Sequence, residues 1–272
     1  MKNIIIFGNG MLGNCVYKFF VELLQYNVIQ IIRSDFDVLK NTRNDLMKLL
    51  NKSSFDVVIN TIGLIPHSGN TNKNDYFKIN SDFPKMLESL LPKHCKMIHI
   101  TTDCVFDGEK GNYNEDSKKT EMNDYGKSKA DGENLKNATI IRTSIIGEQE
   151  NNYIKPSLLE WIRTNENGNI EGYSDIYWNG ITCLKMAEII HTIIDHNLFF
   201  NGPRHFYSST VSKYELLQII NQVYQLNTTI IKKETKNPSN KCLSSTHNTL
   251  SLFDIEPIEI LIQQQKDFEI DN

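Results

Sequence analysis

A short apolar segment followed by a glycine-rich turn opens the chain and restricts its fold more than any other stretch. Lys2 to Phe7 has the composition of a buried strand, and Gly8-Asn-Gly10-Met-Leu-Gly13 leads into a helix-like segment, Asn14 to Gln25. In a strand–GxGxxG–helix unit the glycines permit a tight turn, close approach of a pyrophosphate and close helix–strand packing. The pyrophosphate lies at the positive end of the helix. The unit predicts a dinucleotide-binding site, with a glycine-rich turn of another α/β protein as the alternative.

Further apolar runs of strand length alternate with segments of helical spacing along the first half of the chain. Strands are predicted at 28–32, 56–60, 97–101 and 138–142, and helices at 41–52 and 74–91. This alternation predicts an α/β fold with a Rossmann-type, doubly wound parallel sheet. Ligands of such sheets bind at the carboxyl ends of the strands. The residues predicted at those ends are Gly8, Arg33, Thr61, Thr102 and Thr143.

Beyond Glu148 the pattern changes to shorter segments. Pro156 is expected to be the first residue of a helix, and Ser212 with Glu215 forms a capping box at the start of another. The other elements expected there are an extended aromatic stretch, a helix and a short strand, at 170–178, 184–194 and 204–207. We expect residues 1–152 to form a nucleotide-binding Rossmann domain. Residues 153–272 are expected to form mainly a smaller C-terminal substrate-binding lobe, with segments that return to the main sheet.

Charge and cysteine content exclude several classes of function. The 29 basic and 33 acidic residues give a net charge of −4 and are spread along the chain, so we expect no nucleic-acid or anionic membrane partner. The five cysteines include no CxxC pair, which indicates a reducing compartment and no zinc site. No signal peptide or membrane-spanning run is recognised. The sequence therefore predicts a cytoplasmic protein without a metal.

The stretch from His99 to Glu133 contains the residues best suited to chemistry. Tyr125 and Lys129 are four residues apart and therefore share one face of a predicted helix. An ammonium beside a phenol favours the phenolate and lowers its pKa from about 10, which suits general acid–base work on a carbonyl. Thr102, at the end of a neighbouring strand, can hydrogen-bond the same carbonyl. A solvated helix that carries Tyr and Lys by chance is the alternative.

Six motifs in the first 150 residues resemble the extended short-chain dehydrogenase/reductases, and more narrowly the 4-dehydrorhamnose reductase group. They are GNGMLG at 8–13, DVVINTIG at 56–63, FKIN at 77–80, TTDCVFDG at 101–108, YGKSK at 125–129 and RTSIIG at 142–147. The second half resembles the group through SLLEW at 157–161 and IYWNGIT at 176–182. The resemblance implies hydride transfer from a nicotinamide to the C4 ketone of a nucleotide-linked 4-keto-6-deoxy sugar.

The resemblance also implies roles for individual residues. Tyr125 would supply the proton, Lys129 would hold the nicotinamide ribose and Thr102 would bind the ketone oxygen. The implied cofactor contacts are Gly8, Asn9, Gly10, Met11, Leu12, Gly13, Arg33, Ser34, Asp37, Val38, Thr61, Ile62, Gly63, Asn80, Thr101, Tyr125, Lys129 and Thr143. The implied substrate contacts are Thr102, Asp103, Cys104, Tyr125, Trp178 and Asn179. For Trp178 and Asn179, a place in the core of the smaller lobe is the alternative.

Arg33-Ser34 follows the second predicted strand, where dinucleotide folds contact the adenosine ribose. An arginine there suits the 2′-phosphate of NADP, whereas an acidic residue would bind the 2′-hydroxyl of NAD. We therefore expect NADPH, with NADH the less favoured cofactor. Asp35 follows closely and weakens the signal, and an exposed loop arginine is the alternative.

Cys104 stands where simple 4-dehydrorhamnose reductases have a tyrosine. In this respect the chain resembles GDP-fucose synthase and the plant nucleotide-rhamnose epimerase-reductases, in which the cysteine is the base of an epimerisation. The resemblance implies an acid in the loop before the next helix, with Lys155 as the candidate and Tyr153 in reserve. The alternatives are a buried inert thiol and a surface lysine.

The resemblance favours a UDP-linked deoxy- or acetamido-dideoxy-L-hexose, without identifying the nucleotide or the 2-substituent. A homodimer is compatible with the sequence. Two other functions stay open, a plain dTDP-4-dehydrorhamnose reductase and a non-catalytic NADP-binding regulatory protein of the same fold. Regulatory proteins of this kind usually lose part of the Tyr/Lys pair, whereas Tyr125 and Lys129 are both present here.

Overall fold

The computed structural model describes residues 1–69, 72–149 and 156–271. The strands in chain order are β1 (Lys2–Phe7), β2 (Tyr26–Ile31), β3 (Val57–Asn60), β4 (Lys96–Thr102), β5 (Ala138–Thr143), β6 (Ile145–Ile146), β7 (Asn169–Tyr173), β8 (Ile176–Trp178), β9 (Ile181–Thr182), β10 (Gly202–His205), β11 (Val211–Ser212), β12 (Thr229–Lys233) and β13 (Ser239–Asn240). The α-helices are α1 (Met11–Glu22), α2 (Arg43–Leu50), α3 (Lys73–Phe77), α4 (Phe83–Leu90), α5 (Asp124–Gly132), α6 (Leu158–Thr164), α7 (Cys183–Asp195), α8 (Lys213–Val223), α9 (Thr249–Leu252) and α10 (Ile258–Asp271).

Six parallel strands form the main sheet in the order β10–β5–β4–β3–β1–β2. The predicted α/β, doubly wound architecture is therefore confirmed. β2 and β3 lie on opposite sides of β1, so the strand order reverses there and opens a crevice at the carboxyl ends of these strands. The sixth strand, β10, comes from the second half of the chain and pairs with β5.

Helices cover both faces of this sheet. On one face, α1 packs against α7, and α10 packs against both α7 and α8. The core of this face includes Ile4, Ile98 and Phe20, all nearly inaccessible to solvent. On the other face, β-strand side chains such as Met97 pack with Phe83 of α4. The helices cover both faces of the sheet and leave the carboxyl ends of its strands as the place for a site.

Three small sheets organise the second half of the chain. They have the strand orders β11–β8–β13, β12–β7 and β6–β9. The parallel pair β6–β9 joins the segment directly after β5 to the start of α7. The predicted extended stretch at 170–178 is in fact two strands, β7 and β8, separated by a bend.

The predicted single helix at 74–91 is wrong, because a π-helical segment, Lys78–Asp82, separates α3 from α4. Pro84 has no N–H to donate to the Asn80 carbonyl four residues earlier, and its ring crowds that carbonyl. The Phe83 N–H instead bonds the Lys78 carbonyl, five residues back. π-Helical turns of this kind are frequent at functional sites.

Other helix boundaries also differ from the predictions. α1 begins at Met11 rather than Asn14, so Gly13 is already inside the helix. α6 begins at Leu158, two residues after Pro156, because the Ser157 hydroxyl accepts a hydrogen bond from the Glu160 N–H and caps the helix. α10 was not predicted. The predicted capping box at the start of α8 is confirmed.

Within the described part of the chain, no helix has the length and apolar composition needed to cross a membrane. The same residues bring no three His, Cys, Asp or Glu side chains together in a way that could hold a metal ion. All five cysteines are free thiols.

Candidate active site

The glycine-rich turn lies at the carboxyl end of β1. Gly8 has a φ of +110°, a conformation that side chains other than glycine rarely adopt. A Cβ on Gly13 would collide with the Gly8 carbonyl, and a Cβ on Gly8 would lie 2.6 Å from Thr61 Oγ1. Thr61 closes the turn from β3, because its hydroxyl donates to the Phe7 carbonyl at 2.7 Å. The turn therefore has the shape that a pyrophosphate needs above the start of α1.

Asn80, in the π-helical segment, fixes the loop after β3. Its side-chain oxygen accepts from the Leu64 N–H at 2.8 Å, and its amide nitrogen donates to the Leu64 carbonyl and to Ser128 Oγ. The loop therefore lies against α5, where a Cβ on Gly63 would be 2.6 Å from Lys129 Nζ. Ile62 is anchored as well, because its N–H donates to Asn60 Oδ1 at 3.1 Å.

Arg33 and Ser34 form a turn directly after β2, as the sequence predicts. The Arg33 side chain is 74% exposed, and its Nε lies 3.2 Å from Asp37 Oδ2. Burial alone would raise the pKa of Asp37, but hydrogen bonds from the Leu39 N–H and from Arg33 lower it overall. Val38 is partly buried against the core. The guanidinium is therefore held at the sheet edge with most of its surface available to a ligand.

The hydroxylic corner Thr101 to Cys104 ends β4. The Thr102 hydroxyl donates to Asp103 Oδ1 at 3.0 Å and accepts from the Cys104 N–H at 3.1 Å, which caps a short 3₁₀ turn, Asp103–Val105. Asp103 is buried, and burial raises the pKa of its carboxyl. Burial, followed by the charge of Asp103, also raises the pKa of the Cys104 thiol to about 12. The thiol is therefore protonated at neutral pH.

Tyr125 lies in the first turn of α5, which packs closely on this corner. A Cβ on Gly126 would lie 2.5 Å from the Cys104 carbonyl, so the helix can approach only with glycine there. Burial raises the pKa of the Tyr125 phenol, the nearby Cys104 raises it further, and a hydrogen bond with Thr102 opposes them. The expectation that Lys129 lowers this pKa is wrong, because desolvation of the phenolate outweighs any attraction to the ammonium.

Lys129 lies one turn further along α5 and is buried. Burial lowers the pKa of its ammonium to about 8, and the carboxylate of Glu133 acts in the opposite direction. Its position beside Gly63 places Lys129 between the hydroxylic corner and the loop after β3. The structure therefore brings Thr102, Tyr125 and Lys129 together as predicted.

Two buried side chains of β4 have a polar atom without a hydrogen-bond partner among the described residues. They are His99, through Nε2, and Thr101, through Oγ1. Both lie two residues apart on the strand and so share one face of the sheet. Burial, and then Lys129, lowers the pKa of His99 to about 3, so the ring is neutral. Thr101, a predicted cofactor contact, is 4% exposed and lies inside the protein rather than on the crevice surface.

A buried charged group beneath α5 was not found by sequence reasoning. Arg142 of β5 donates from Nε to Glu133 Oε1 at 3.0 Å and contacts His205 Nε2 through a terminal nitrogen at 2.6 Å. The side chains of Arg142 and Glu133 are 2% and 1% exposed. Lys119 adds a second cation 3.1 Å from Glu133. The group connects the end of α5 to β5 and β10. The only sequence signal for it was Arg142 itself, the first residue of the RTSIIG motif.

The predicted contacts of the second half occupy different environments. Thr143 ends β5 beside Thr102, and the Trp178 indole donates to the next residue, Ser144, at 2.8 Å. The Asn179 side chain donates to the Leu243 carbonyl and accepts from the Leu243 N–H. These contacts agree with the alternative interpretation, in which Asn179 belongs to the core of the smaller lobe. The predicted acid Lys155 and its reserve Tyr153 lie outside the described residues.

Comparison with known proteins assigns the chain to a family. The family model described as "RmlD substrate binding domain" matches residues 1–262. The chain belongs to this RmlD family. A dTDP-4-dehydrorhamnose reductase of Aggregatibacter actinomycetemcomitans is 26% identical over 94% of this chain and 95% of its own length.

Solved structures of dTDP-4-dehydrorhamnose reductases share the fold over almost the whole chain. The dTDP-4-dehydrorhamnose reductase of Bacillus anthracis, in complex with NADP, superposes with a TM-score of 0.83 at 19% identity and covers 98% of this chain and 99% of its own. The corresponding reductase of Clostridium acetobutylicum has a TM-score of 0.79 at 21% identity, with the same coverage. The RmlD family fold therefore extends over both halves of the chain.

Proposed function

We propose that this RmlD family protein is an NADPH-dependent 4-reductase of a nucleotide-linked 4-keto-6-deoxyhexose. One observation carries the proposal most directly. The Tyr125 phenol lies near Thr102, at the carboxyl end of β4, and Thr102 influences the pKa of the phenol; the buried Lys129 lies one helical turn further along α5. A ketone oxygen at the mouth of the nucleotide crevice would accept from the Tyr125 hydroxyl, and from the Thr102 hydroxyl once that hydroxyl turns away from Asp103.

The residues at the crevice fit a dinucleotide. Gly8 and Gly13 let the turn, β3 and the first turn of α1 pack closely, since a Cβ at either position would collide with neighbouring protein atoms. When bound, NADPH supplies the hydride. Lys129 is placed to hold the nicotinamide ribose, and Arg33 to contact the 2′-phosphate. The family member from Bacillus anthracis was solved with NADP, which supports this choice of cofactor.

The pKa shifts suit reduction. Because burial raises the pKa of Tyr125, the phenol stays protonated at neutral pH and can donate its proton to the ketone oxygen as negative charge develops there. Thr102 stabilises the same oxygen. With a pKa of about 8, Lys129 is still mostly charged at pH 7 and stabilises the tyrosinate that forms.

The direct test is consumption of NADPH, followed by absorbance, with 4-keto-6-deoxyhexoses linked to UDP, dTDP and GDP. We expect turnover with at least one of them and propose that the UDP-linked sugars are preferred. If NADPH binds tightly and no sugar nucleotide oxidises it, the non-catalytic alternative replaces the reductase. Gel filtration of the same sample tests the proposed homodimer.

Replacing Arg33 with alanine should raise the Michaelis constant for NADPH and leave that for NADH nearly unchanged. The guanidinium of Arg33 is largely exposed, so it can form charge-assisted hydrogen bonds with a 2′-phosphate, and NADH has no such group. The measurement is kcat/KM with each cofactor. Arg43→Ala is a suitable control, because Arg43 is an exposed arginine that bonds Ser89. Equal use of both cofactors by the unmutated protein would contradict the prediction.

We also propose, as a second activity, epimerisation of the sugar carbon next to the ketone, with Cys104 as base and Lys155 as acid. The supporting observation is that Cys104 adjoins Thr102 and influences Tyr125, so its thiol lies at the carbonyl site. The raised pKa of this thiol opposes a role as base at neutral pH, whereas Lys241 acts to lower it. The reductase is therefore the primary proposal.

Replacing Cys104 with serine separates the two activities. If Cys104 is the base, the variant should no longer introduce solvent deuterium into the sugar ring, yet should still reduce a substrate supplied with the inverted configuration. Mass spectrometry of the product measures the deuterium. Cys95→Ser is the control, because Cys95 is another buried thiol and lies directly before β4, at the opposite end of that strand from Cys104. Normal deuterium incorporation by Cys104→Ser would exclude Cys104 as the base, and no incorporation by the unmutated protein would leave a plain reductase.

A further inference from the structure

Lys213, the first residue of α8, has no ion pair and no hydrogen bond from its ammonium within the described residues. Its Nζ lies 5.3 Å from the centre of the Trp178 ring, over the indole face. Its neighbour Lys241 differs, because it forms an ion pair with Glu121 at 2.7 Å. An ammonium loses much of its hydration on burial and is normally compensated by an anion. Among the described residues, the Lys213 ammonium therefore has no direct contact with an anion.

Two features of the surroundings make this position unfavourable for a cation. Burial lowers the pKa of Lys213, while the carboxylate of Asp103 acts to raise it. In addition, the residue lies at the N-terminus of an 11-residue helix, where the helix dipole favours negative charge. Glu215, in the same turn, is occupied by the capping box with Ser212. An anion at this point would be stabilised by both the ammonium and the helix terminus.

Lys213 also lines a cavity between the main sheet and the second half of the chain. The cavity has a volume of about 90 Å³, and its other lining residues include Met11, Ser144, Ser157 and Trp178. Met11 belongs to the glycine-rich turn, and Ser144 directly follows β5. The cavity therefore adjoins the crevice near the end of β5. Its volume suits a small polar group rather than a whole nucleotide.

We propose that Lys213 binds the diphosphate of the nucleotide-sugar substrate. The inference rests on the proposed function and adds a residue to its substrate site. A neutral 4-keto hexose has no charge that could pair with an ammonium. A hydrogen bond to a sugar hydroxyl stabilises the ammonium by less than its loss of hydration destabilises it. The diphosphate is the anionic part of such a substrate, and the cofactor's own pyrophosphate is accounted for by the glycine-rich turn at α1.

A proton-transfer role for Lys213 is the competing interpretation, because lysines with a lowered pKa can act as acids or bases. The two interpretations predict different losses. A binding role predicts weaker binding of any nucleoside diphosphate, even one without a sugar. A proton-transfer role predicts normal binding of that nucleotide with lost turnover.

The experiment is calorimetric titration of UDP and dTDP into the full-length protein saturated with NADP⁺. Lys213→Met should weaken binding of the preferred diphosphate by about 10- to 100-fold, the range expected for one charge-assisted contact. Lys213→Arg should stay within about threefold of the unmutated protein, since it keeps the charge. Lys48→Met, at an exposed lysine of α2, is the matched control. Melting temperatures verify that each variant is folded.

Three results would overturn the assignment. Equal affinity of Lys213→Met and the unmutated protein for the diphosphate would remove Lys213 from the diphosphate site. Normal affinity combined with lost turnover would make Lys213 a proton-transfer group. If the unmutated protein binds none of UDP, dTDP and GDP, titrated in the same way, the proposed function itself fails, which the first two results leave intact.

Discussion

Tyr125→Phe is expected to lower turnover of the ketone substrate by ~100- to 10,000-fold, the range typical of a general acid or base. The substitution removes only the phenol hydroxyl, which lies near Thr102 and is the proposed proton donor to the ketone oxygen. The ring keeps its packing near Tyr76, whose centroid lies 6.1 Å away. Steady-state rates at saturating NADPH measure the loss.

Cofactor affinity separates a catalytic role from a structural one. The dissociation constant of NADPH, measured by fluorescence titration, should be nearly unchanged in Tyr125→Phe, since Lys129 and the glycine-rich turn remain. Tyr214→Phe is the control, because the Tyr214 hydroxyl bonds only the nearby Gln218 among the described residues. Turnover of Tyr125→Phe within a few-fold of the unmutated protein would exclude Tyr125 as the proton donor.

Arg142→Met is expected to lower the free energy of unfolding by about 3–5 kcal/mol, because removing one partner of a buried ion pair leaves an uncompensated charge. The charge left behind is the carboxylate of Glu133, which is 1% exposed, with Lys119 as its remaining partner. His205 loses its contact with the guanidinium as well. Urea denaturation followed by circular dichroism measures the change.

Lys85→Met is the matched control, because Lys85 pairs with Asp131 of the same helix α5 but is 35% exposed. Exposed pairs contribute about 0–1 kcal/mol. A loss in Arg142→Met no larger than in Lys85→Met would contradict the prediction.

The difference in the free energy of unfolding between Arg142→Met and the unmutated protein should also depend on pH. Arg142 helps to hold the pKa of Glu133 below its usual value, so this stabilisation is present above that value and is lost as the pH falls.

The elements predicted correctly from sequence are those specified by local patterns. β1 has the predicted bounds, and the glycine-rich turn, the α5 helix with Tyr125 and Lys129, and the capping box of α8 all form as expected. Strand alternation, glycine placement and capping depend on residues a few positions apart, so the sequence displays them directly. The mistaken single helix at 74–91 had a local cause as well, since Pro84 cannot donate to Asn80.

Tertiary structure decided the features that depend on residues far apart in the chain. The pKa of Tyr125 rises because α5 is buried against the β4 corner, which reverses the effect expected from Lys129 alone. Arg142 meets Glu133 and His205 only because β10 returns to the sheet beside β5. Lys213 and Trp178 come together only where α8 packs near β8. Desolvation and ion pairing follow from this packing, and a linear pattern of residues does not contain it.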